Sequence, residues 1–142
     1  MPASHKLHVF KQCVRAARKA LKQLGPGHTE KAYEDAMKFE LYAKGIPFVS
    51  QLRYNRSVAQ NSVCEGIVDI EVAKCVILEL KINGTKIEEK HKRQASRYLQ
   101  SACERYKTHE ILCAVMLFDD SGALQVWRKS GRAARPAVED DP

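Results

Sequence analysis

The sequence predicts an α/β protein in which a mixed central β-sheet is flanked by helices. One observation is an apolar segment at residues 75–82, rich in β-branched residues and typical of a buried central strand. Another is helical periodicity, which precedes the strand patterns at residues 6–24 and 29–44 and returns after them at residues 85–105. Strands and helices interspersed along one chain in this way favour the α/β class.

The N-terminal half contains two predicted helices and two predicted strands. The helix at residues 6–24 ends at Gly25-Pro26-Gly27, and Thr29 is predicted to cap a second helix that stops at Gly45. Strands follow at residues 46–54 and 63–72, with a loop or turn beginning at Asn55. The predicted apolar face of the first helix comprises Leu7, Phe10, Val14, Ala17, Leu21 and Leu24.

The C-terminal half begins with the strand at residues 75–82, which Asn83-Gly84 terminates. Thr85 is predicted to open a third helix, followed by strands at residues 110–118 and 123–129 around a turn. We predict one domain, 1–129, made of a basic N-terminal helix at 6–24 and a core at 27–129. The Gly-, Pro- and acid-containing segment 130–142 is predicted to be a disordered tail.

The central strand carries two charged residues, Glu79 and Lys81, which alternation places on one face with Cys75 and Ile77. In the preceding strand, alternation groups Asp69 with Glu71 on one face and Val68 with Ile70 and Val72 on the other. A tight turn at Ala73-Lys74 would pair the two strands as a hairpin. Asp69 would then lie opposite Glu79 or within one residue of it, about 5 Å away.

Two interpretations of this charged hairpin remain open. Two carboxylates that meet raise each other's proton affinity, and a cation between them removes that penalty. Hard oxygen ligands favour Mg²⁺, and Lys81 could neutralise developing negative charge or orient a water molecule. In the alternative, Glu79 and Lys81 form an ordinary ion pair on a solvated strand face.

The composition is that of a globular protein, with 44% hydrophobic and 29% charged residues in 142. No apolar segment reaches the length of a membrane span and the N-terminus lacks the apolar core of a signal peptide, so we expect an intracellular protein. The five cysteines are widely spaced and form no C-x-x-C pair, which argues against a disulfide framework and a zinc site.

The net charge of +7 suits a polyanionic partner, and its distribution is uneven. Residues 1–29 contain no acidic side chain, and the first helix carries basic residues three or four positions apart on one flank. This basic stripe, which could lie along phosphates, consists of Lys11, Arg15, Arg18 and Lys22. The alternative is a solvated helix face that contacts no ligand.

Two other groups of residues have both a structural and a functional interpretation. Glu30 lies in the first turn of the second helix, where a carboxylate interacts favourably with the helix dipole. His91, Gln94 and Tyr98 share one face of the third helix, where they could either face a site or form a partly buried edge.

The order of these motifs resembles the core of the PD-(D/E)XK nuclease superfamily, and more specifically its GxxExxY family. The resemblance extends from about Gly27 to Phe118. Its motifs are Gly27-His28-Thr29-Glu30-Lys31-Ala32-Tyr33, then Gln51, Asp69, Val76-Ile77-Leu78-Glu79-Leu80-Lys81, and His91-x-x-Gln94-x-x-x-Tyr98-Leu99. The basic first helix and the tail lie outside the pattern. The family's Asn-Phe-Gly ending of the fourth strand is replaced by Met116-Leu117-Phe118.

The resemblance implies a restriction-endonuclease-like fold with an extra N-terminal helix and a catalytic group of Glu30, Asp69, Glu79, Lys81 and Gln94. Asp69 and Glu79 would bind Mg²⁺, with Mn²⁺ as a substitute, and Lys81 would position or activate the attacking water. Glu30 would be an accessory carboxylate and Gln94 a site-facing helper.

The activity implied is metal-assisted hydrolysis of phosphodiester bonds. DNA is the expected partner, with RNA less favoured and no membrane partner, and a homodimer is compatible with the pattern. The setting would be DNA repair, recombination or replication. The alternative is a non-catalytic nucleic-acid-binding or assembly module that retains the nuclease fold.

Overall fold

A computed structural model describes the backbone of residues 3–132 and the side chains of residues 5–132. Within these residues the chain forms three helices and five strands. In chain order they are α1 (Ala3–Leu24), α2 (Glu30–Ala43), β1 (Phe48–Val58), β2 (Asn61–Val72), β3 (Val76–Lys81), α3 (Glu89–Tyr106), β4 (Leu112–Phe118) and β5 (Leu124–Ser130).

The strands form one mixed sheet in the order β1-β2-β3-β4-β5. Strands β3 and β4 run parallel, because α3 crosses between them, and the remaining neighbours are antiparallel. This arrangement confirms the predicted α/β class with a mixed central sheet.

The sheet separates two hydrophobic cores. The larger core lies between the sheet and helices α1 and α2, and the smaller one lies between the sheet and α3. Strand β3 is buried on both faces, since Leu78 enters the larger core and Ile77 the smaller one. Ile77 and Leu78 therefore lie on opposite faces, as the predicted alternation requires, and the face that carries Glu79 is buried as well. Cys75, predicted beside Ile77, precedes β3 and packs in the larger core.

Helix α1 buries a face that is rotated from the predicted one and overlaps it at Phe10 and Ala17, while Val14, Leu21 and Leu24 are partly buried beside it. Its innermost residues are mostly small, whereas Leu7 remains 36% exposed. Small side chains bring α1 close to the sheet and α2, which selects this face over the one richer in leucine. The buried residues are Val9, Phe10, Cys13, Ala16, Ala17 and Ala20.

Strands β1 and β2 form a long hairpin, whose turn lies at Ala59 and Gln60. The loop predicted to begin at Asn55 is instead part of β1. Residues 55–64 are exposed, so this end of the hairpin has no buried face and lacks the alternation that identifies a strand.

Helix α3 begins four residues later than predicted, with Glu88 as its N-cap. The segment before it is irregular: the Thr85 carbonyl accepts a hydrogen bond from Gln125 Nε2 at 2.6 Å, and Ile87 packs against the smaller core. These contacts hold residues 85–88 out of the helix.

At the C-terminal side, β5 includes Ser130, and the Gly131 amide donates to the Ile111 carbonyl at 2.7 Å. The ordered strand thus extends into the first residues of the predicted tail, whose remaining part, 133–142, lies outside the described residues. Within residues 3–132, no helix is long and apolar enough to cross a membrane.

Candidate active site

The β2–β3 hairpin brings Asp69 and Glu79 together. Its turn residues, Ala73 and Lys74, both have positive φ (52° and 55°), the conformation of a tight turn that follows strand twist. The ladder pairs Val72 with Val76 and Ile70 with Leu78, so the next positions along the strands are Asp69 and Glu79.

Beyond the Ile70–Leu78 pair, hydrogen bonds from backbone amides to the two carboxylates replace the backbone ladder between β2 and β3. The Leu80 amide donates to Asp69 Oδ2 at 2.8 Å, and the Asp69 amide donates to Glu79 Oε1 at 3.3 Å. Each carboxylate is thereby fixed by the backbone of the other strand, at the point where β2 and β3 separate.

Strand β1 contributes an irregularity at the same level. Gln51, opposite Asp69, has φ of 52°, and the β1–β2 pairing skips this position. Consequently Val68 faces the smaller core while Ile70 faces the larger one, which corrects the predicted alternation. A backbone strained in this way at a non-glycine residue is typical of functional sites.

Both carboxylates are held in an environment that opposes ionisation. Burial raises the pKa of Glu79 well above its ordinary value, and the nearby charge of Asp69 raises it further. Burial also raises the pKa of Asp69, partly offset by the hydrogen bond from the Leu80 amide. The metal-free site therefore concentrates negative charge against the preference of its surroundings.

Lys81 supplies the nearest positive charge. Its Nζ lies 4.0 Å from Glu79 Oε2, and its side chain is 23% exposed. The ammonium group thus stands between the buried carboxylates and solvent. Glu79 and Lys81 do form an ion pair, but it is largely buried, unlike the solvated pair considered from the sequence.

Glu30 approaches the same site from α2. Thr29 caps this helix by accepting a hydrogen bond from the Ala32 amide at 3.1 Å, as predicted, and Glu30 is exposed in the first turn. Its charge contributes to the raised pKa of both Asp69 and Glu79. Glu30 is thus a third carboxylate facing the pair from the solvent side.

Gln94 reaches the site through Tyr98, because its Nε2 donates to the Tyr98 hydroxyl at 3.1 Å. Burial raises the pKa of Tyr98, and the charge of Glu79 adds to this effect. A Cβ at Gly66 would overlap the Tyr98 hydroxyl, so the glycine is required by this close approach. His91 is near enough for the charge of Lys81 to help lower its pKa, after the larger effect of burial.

Sequence reasoning missed Glu34, which is only 7% exposed. Glu34 Oε1 accepts a hydrogen bond from Gln51 Nε2 at 2.7 Å, and Lys38 lies 3.6 Å from Glu34 Oε2. The Gln51 side chain also lowers the pKa of Asp69, against the effect of burial. The available signal was spacing, since Glu34 follows Glu30 by one helical turn.

The basic stripe lies apart from the carboxylates, on the outer surface of α1. All four of its side chains, Lys11, Arg15, Arg18 and Lys22, are exposed, and none forms a salt bridge with another described side chain. Arg18 and Lys22 also line a surface groove of about 340 Å³ with Pro26 and Gly122.

The donor set of the site suits a divalent cation. Asp69 and Glu79 provide oxygen ligands of the kind that Mg²⁺ prefers. Among the side chains of residues 5–132, no group of three or more His, Cys, Asp or Glu residues is placed to hold a metal ion. Two carboxylates fit Mg²⁺, which usually keeps several water or substrate ligands.

Comparison with known proteins identifies the family. A family model described as the PD-(D/E)XK nuclease superfamily matches residues 8–109, more than two thirds of the chain. The match includes most of α1, which the sequence resemblance left outside, and it does not distinguish the GxxExxY family. No curated protein and no solved structure matches the chain. Because this match covers most of the chain and the mixed sheet agrees with it, the chain belongs to the PD-(D/E)XK nuclease superfamily.

Proposed function

We propose that this protein is a Mg²⁺-dependent nuclease that hydrolyses phosphodiester bonds of DNA, acting in DNA repair, recombination or replication. The observation that carries the proposal is the buried pair of Asp69 and Glu79, with Lys81 beside it. Burying two carboxylates together destabilises a protein unless a ligand compensates them. Membership of a nuclease superfamily supports this interpretation.

Asp69 and Glu79 are the proposed metal ligands, because they combine oxygen donors with unfavourable mutual repulsion. A bound divalent ion would polarise the phosphoryl oxygen and promote formation of the attacking hydroxide. The backbone amides of Leu80 and Asp69 orient the two carboxylates before any ligand binds. This preorganisation reduces the rearrangement needed when the charged substrate arrives.

Lys81 is the proposed stabiliser of negative charge on the phosphate. Its Nζ is tethered 4.0 Å from Glu79 while its side chain remains partly open to solvent. An ammonium group at the boundary between a buried site and solvent can contact both the nucleophilic water and the phosphate. Glu30 is proposed as the accessory carboxylate and Gln94 as a positioning residue that acts through Tyr98.

DNA is the proposed substrate on electrostatic grounds. The basic stripe on α1 is exposed and free of salt bridges to other described side chains, so its charges are available to phosphates. Replacing its four residues with glutamine should weaken duplex binding and reduce the slope of log affinity against log salt. The expected reduction is roughly one unit for each phosphate that the variant no longer binds. An unchanged slope would make the stripe a solvated face.

Cleavage of plasmid and branched DNA tests the catalytic assignment. Asp69→Asn and Lys81→Ala should each reduce cleavage by orders of magnitude in Mg²⁺ or Mn²⁺ while DNA binding in metal-free buffer persists. Asp35→Asn is the matched control, since Asp35 is a carboxylate on the outer side of α2, paired with Lys31 at 3.4 Å. Wild-type protein that binds DNA but cleaves none of these substrates would instead support the non-catalytic module.

A further inference from the structure

Two adjoining grooves form a continuous channel between helix α3 and strand β5. The upper groove, of about 640 Å³, extends from Glu89 to Lys129. The lower groove, of about 720 Å³, extends from Ser96 to Arg132. Ser96, Arg97 and Lys129 line both grooves, which therefore join along the length of the helix. We call this feature the α3–β5 channel.

The α3–β5 channel is predominantly basic. Two glutamates also line it, but Glu89 is neutralised by Lys92 at 3.2 Å, which leaves Glu104 as the remaining carboxylate. Arg97 is likewise paired, with Glu65 at 3.6 Å, and the other basic side chains of the lining still outnumber Glu104. The basic residues that line it and are exposed to solvent are Arg93, Arg97, Lys107, Lys129 and Arg132.

An aromatic side chain lies in the upper part of the channel. Trp127, the single tryptophan of the sequence, is partly buried against the smaller core and lines the channel opposite α3. The Lys92 ammonium is 6.0 Å from the centre of its ring. The lower part has an apolar wall that includes Leu99 and Cys103.

The upper end of the channel adjoins the active site. Arg93, which lines the channel, precedes Gln94, which contacts Tyr98 beside the carboxylates. Helix α3 therefore presents Arg93 to the channel and Gln94 to Tyr98, whose pKa responds to the charges of Glu79 and Asp69. The basic stripe lies on the opposite side of the sheet, because α1 packs against the larger core.

We propose that the α3–β5 channel binds a single-stranded segment of nucleic acid, a proposal that rests on the nuclease function proposed above. A row of cations that follows a groove, combined with an aromatic ring, is the arrangement by which proteins hold single strands. The phosphates would contact Arg93, Lys129 and Arg132, while a base would lie against Trp127. A duplex would instead occupy the basic stripe, so the substrate class is DNA that carries a single-stranded extension.

Binding is tested with the full-length Asp69→Asn protein in metal-free buffer, so that cleavage plays no part in the result. Oligothymidylate should quench the fluorescence of Trp127, since this tryptophan is unique and lies in the channel. Arg93→Gln combined with Lys129→Gln should weaken oligothymidylate binding at least about tenfold and reduce the salt slope by roughly two units. Both side chains are exposed, so melting temperature should not change.

Lys44→Gln combined with Lys74→Gln is the matched control. Lys44 caps the C-terminus of α2 and Lys74 lies in the β2–β3 turn; both are exposed, both lie outside the lining of the channel, and the pair removes the same charge. This variant should bind oligothymidylate with nearly wild-type affinity and quenching. An equal loss of affinity in the control would show that the effect depends only on net charge, and it would overturn the channel proposal.

Binding of polyglutamate and cleavage by the wild-type protein complete the experiment. Polyglutamate that binds as tightly and quenches as strongly would identify an acidic polypeptide as the occupant and overturn the proposal. If the wild-type protein cleaves DNA but the Arg93/Lys129 variant binds oligothymidylate normally, the channel proposal is overturned and the proposed nuclease function holds. If oligothymidylate quenches Trp127 but the wild-type protein cleaves no DNA, the channel proposal holds and the proposed nuclease function fails.

Discussion

Glu71 and Glu79 are buried to the same extent on neighbouring strands, yet their surroundings differ. Each is 3% exposed. Glu71 accepts hydrogen bonds from the hydroxyls of Tyr54 at 2.9 Å and Tyr106 at 2.5 Å, one on each carboxylate oxygen. Glu79 accepts one long bond from the Asp69 amide and has Lys81 at 4.0 Å and a second carboxylate beside it.

This difference separates a structural carboxylate from a candidate catalytic one. The negative charge of Glu71 is satisfied by neutral donors from β1 and α3, so the group fastens three elements together. The negative charge of Glu79 is only partly compensated, because Lys81 is 4.0 Å away and Asp69 adds a like charge. Burial alone therefore does not identify a site, whereas burial opposite a like charge does.

The largest expected difference between the two glutamates is in cleavage. Glu79→Gln should lower the cleavage rate roughly 10²- to 10⁴-fold, because several kcal/mol of transition-state stabilisation would be lost. Glu71→Gln should remain within a few fold of wild type when assayed below its melting temperature. The measurement is the initial rate on plasmid DNA in Mg²⁺. Equal losses in the two variants would remove the distinction.

The order reverses for stability. Glu71→Gln should lower the free energy of unfolding by about 2–3 kcal/mol, since two hydrogen bonds to a buried charge are weakened. Glu79→Gln should leave the metal-free protein as stable as wild type or more so. Urea unfolding in EDTA measures both effects. Tyr106→Phe combined with Glu71→Gln should show non-additive losses, and additivity would mean that this hydrogen bond contributes nothing.

Mg²⁺ should stabilise the protein through the Asp69–Glu79 pair. At about a hundred times its dissociation constant, a ligand bound only by the folded state adds about 2.7 kcal/mol, which corresponds to roughly 5–10 °C. Glu71→Gln should retain this shift in melting temperature, whereas Asp69→Asn should abolish it. Thermal melts with and without Mg²⁺ provide the measurement. A full shift in Asp69→Asn would place the ion elsewhere.

The smallest expected effect is the dependence of stability on pH in EDTA. The pKa values of Asp69 and Glu79 are raised in the folded state, so this state binds more protons than the unfolded chain above about pH 4. This pair therefore contributes less stability as pH rises towards 8. Asp69→Asn removes one of the two interacting charges and should make the decline between pH 5 and pH 8 shallower.

The Asp69–Glu79 pair was predictable from sequence because it depends on local geometry. The three-residue connection Ala73-Lys74-Cys75 between Val72 and Val76 fixes the register, and the residues that meet are ten positions apart. The fold class was predictable for a related reason, since strand β3 and the three helices have strong patterns of their own. The capping of α2 by Thr29 follows in the same way from neighbouring residues.

The features that escaped sequence reasoning depend on distant contacts. Glu71 meets Tyr54 and Tyr106 across 17 and 35 residues, and no local pattern distinguishes it from Glu79. The positive φ of Gln51 lies where the pairing of β1 with β2 skips a position, a tertiary feature without a signal in the neighbouring residues. The centre of the buried face of α1 is shifted from the predicted one, because close packing against the sheet favours Ala16 and Ala20 over Leu7.

The hairpin that carries the two carboxylates has a consequence for the folding pathway. Its strands close a loop of ten residues, whereas the parallel pairing of Val76 with Leu112 must wait for α3 to cross the sheet. Short loops close at lower entropic cost, so the hairpin forms earlier than the parallel pair. The repulsion between Asp69 and Glu79 therefore arises during folding before α3 packs over the hairpin. Neutralising Asp69 would accordingly accelerate folding more than it slows unfolding.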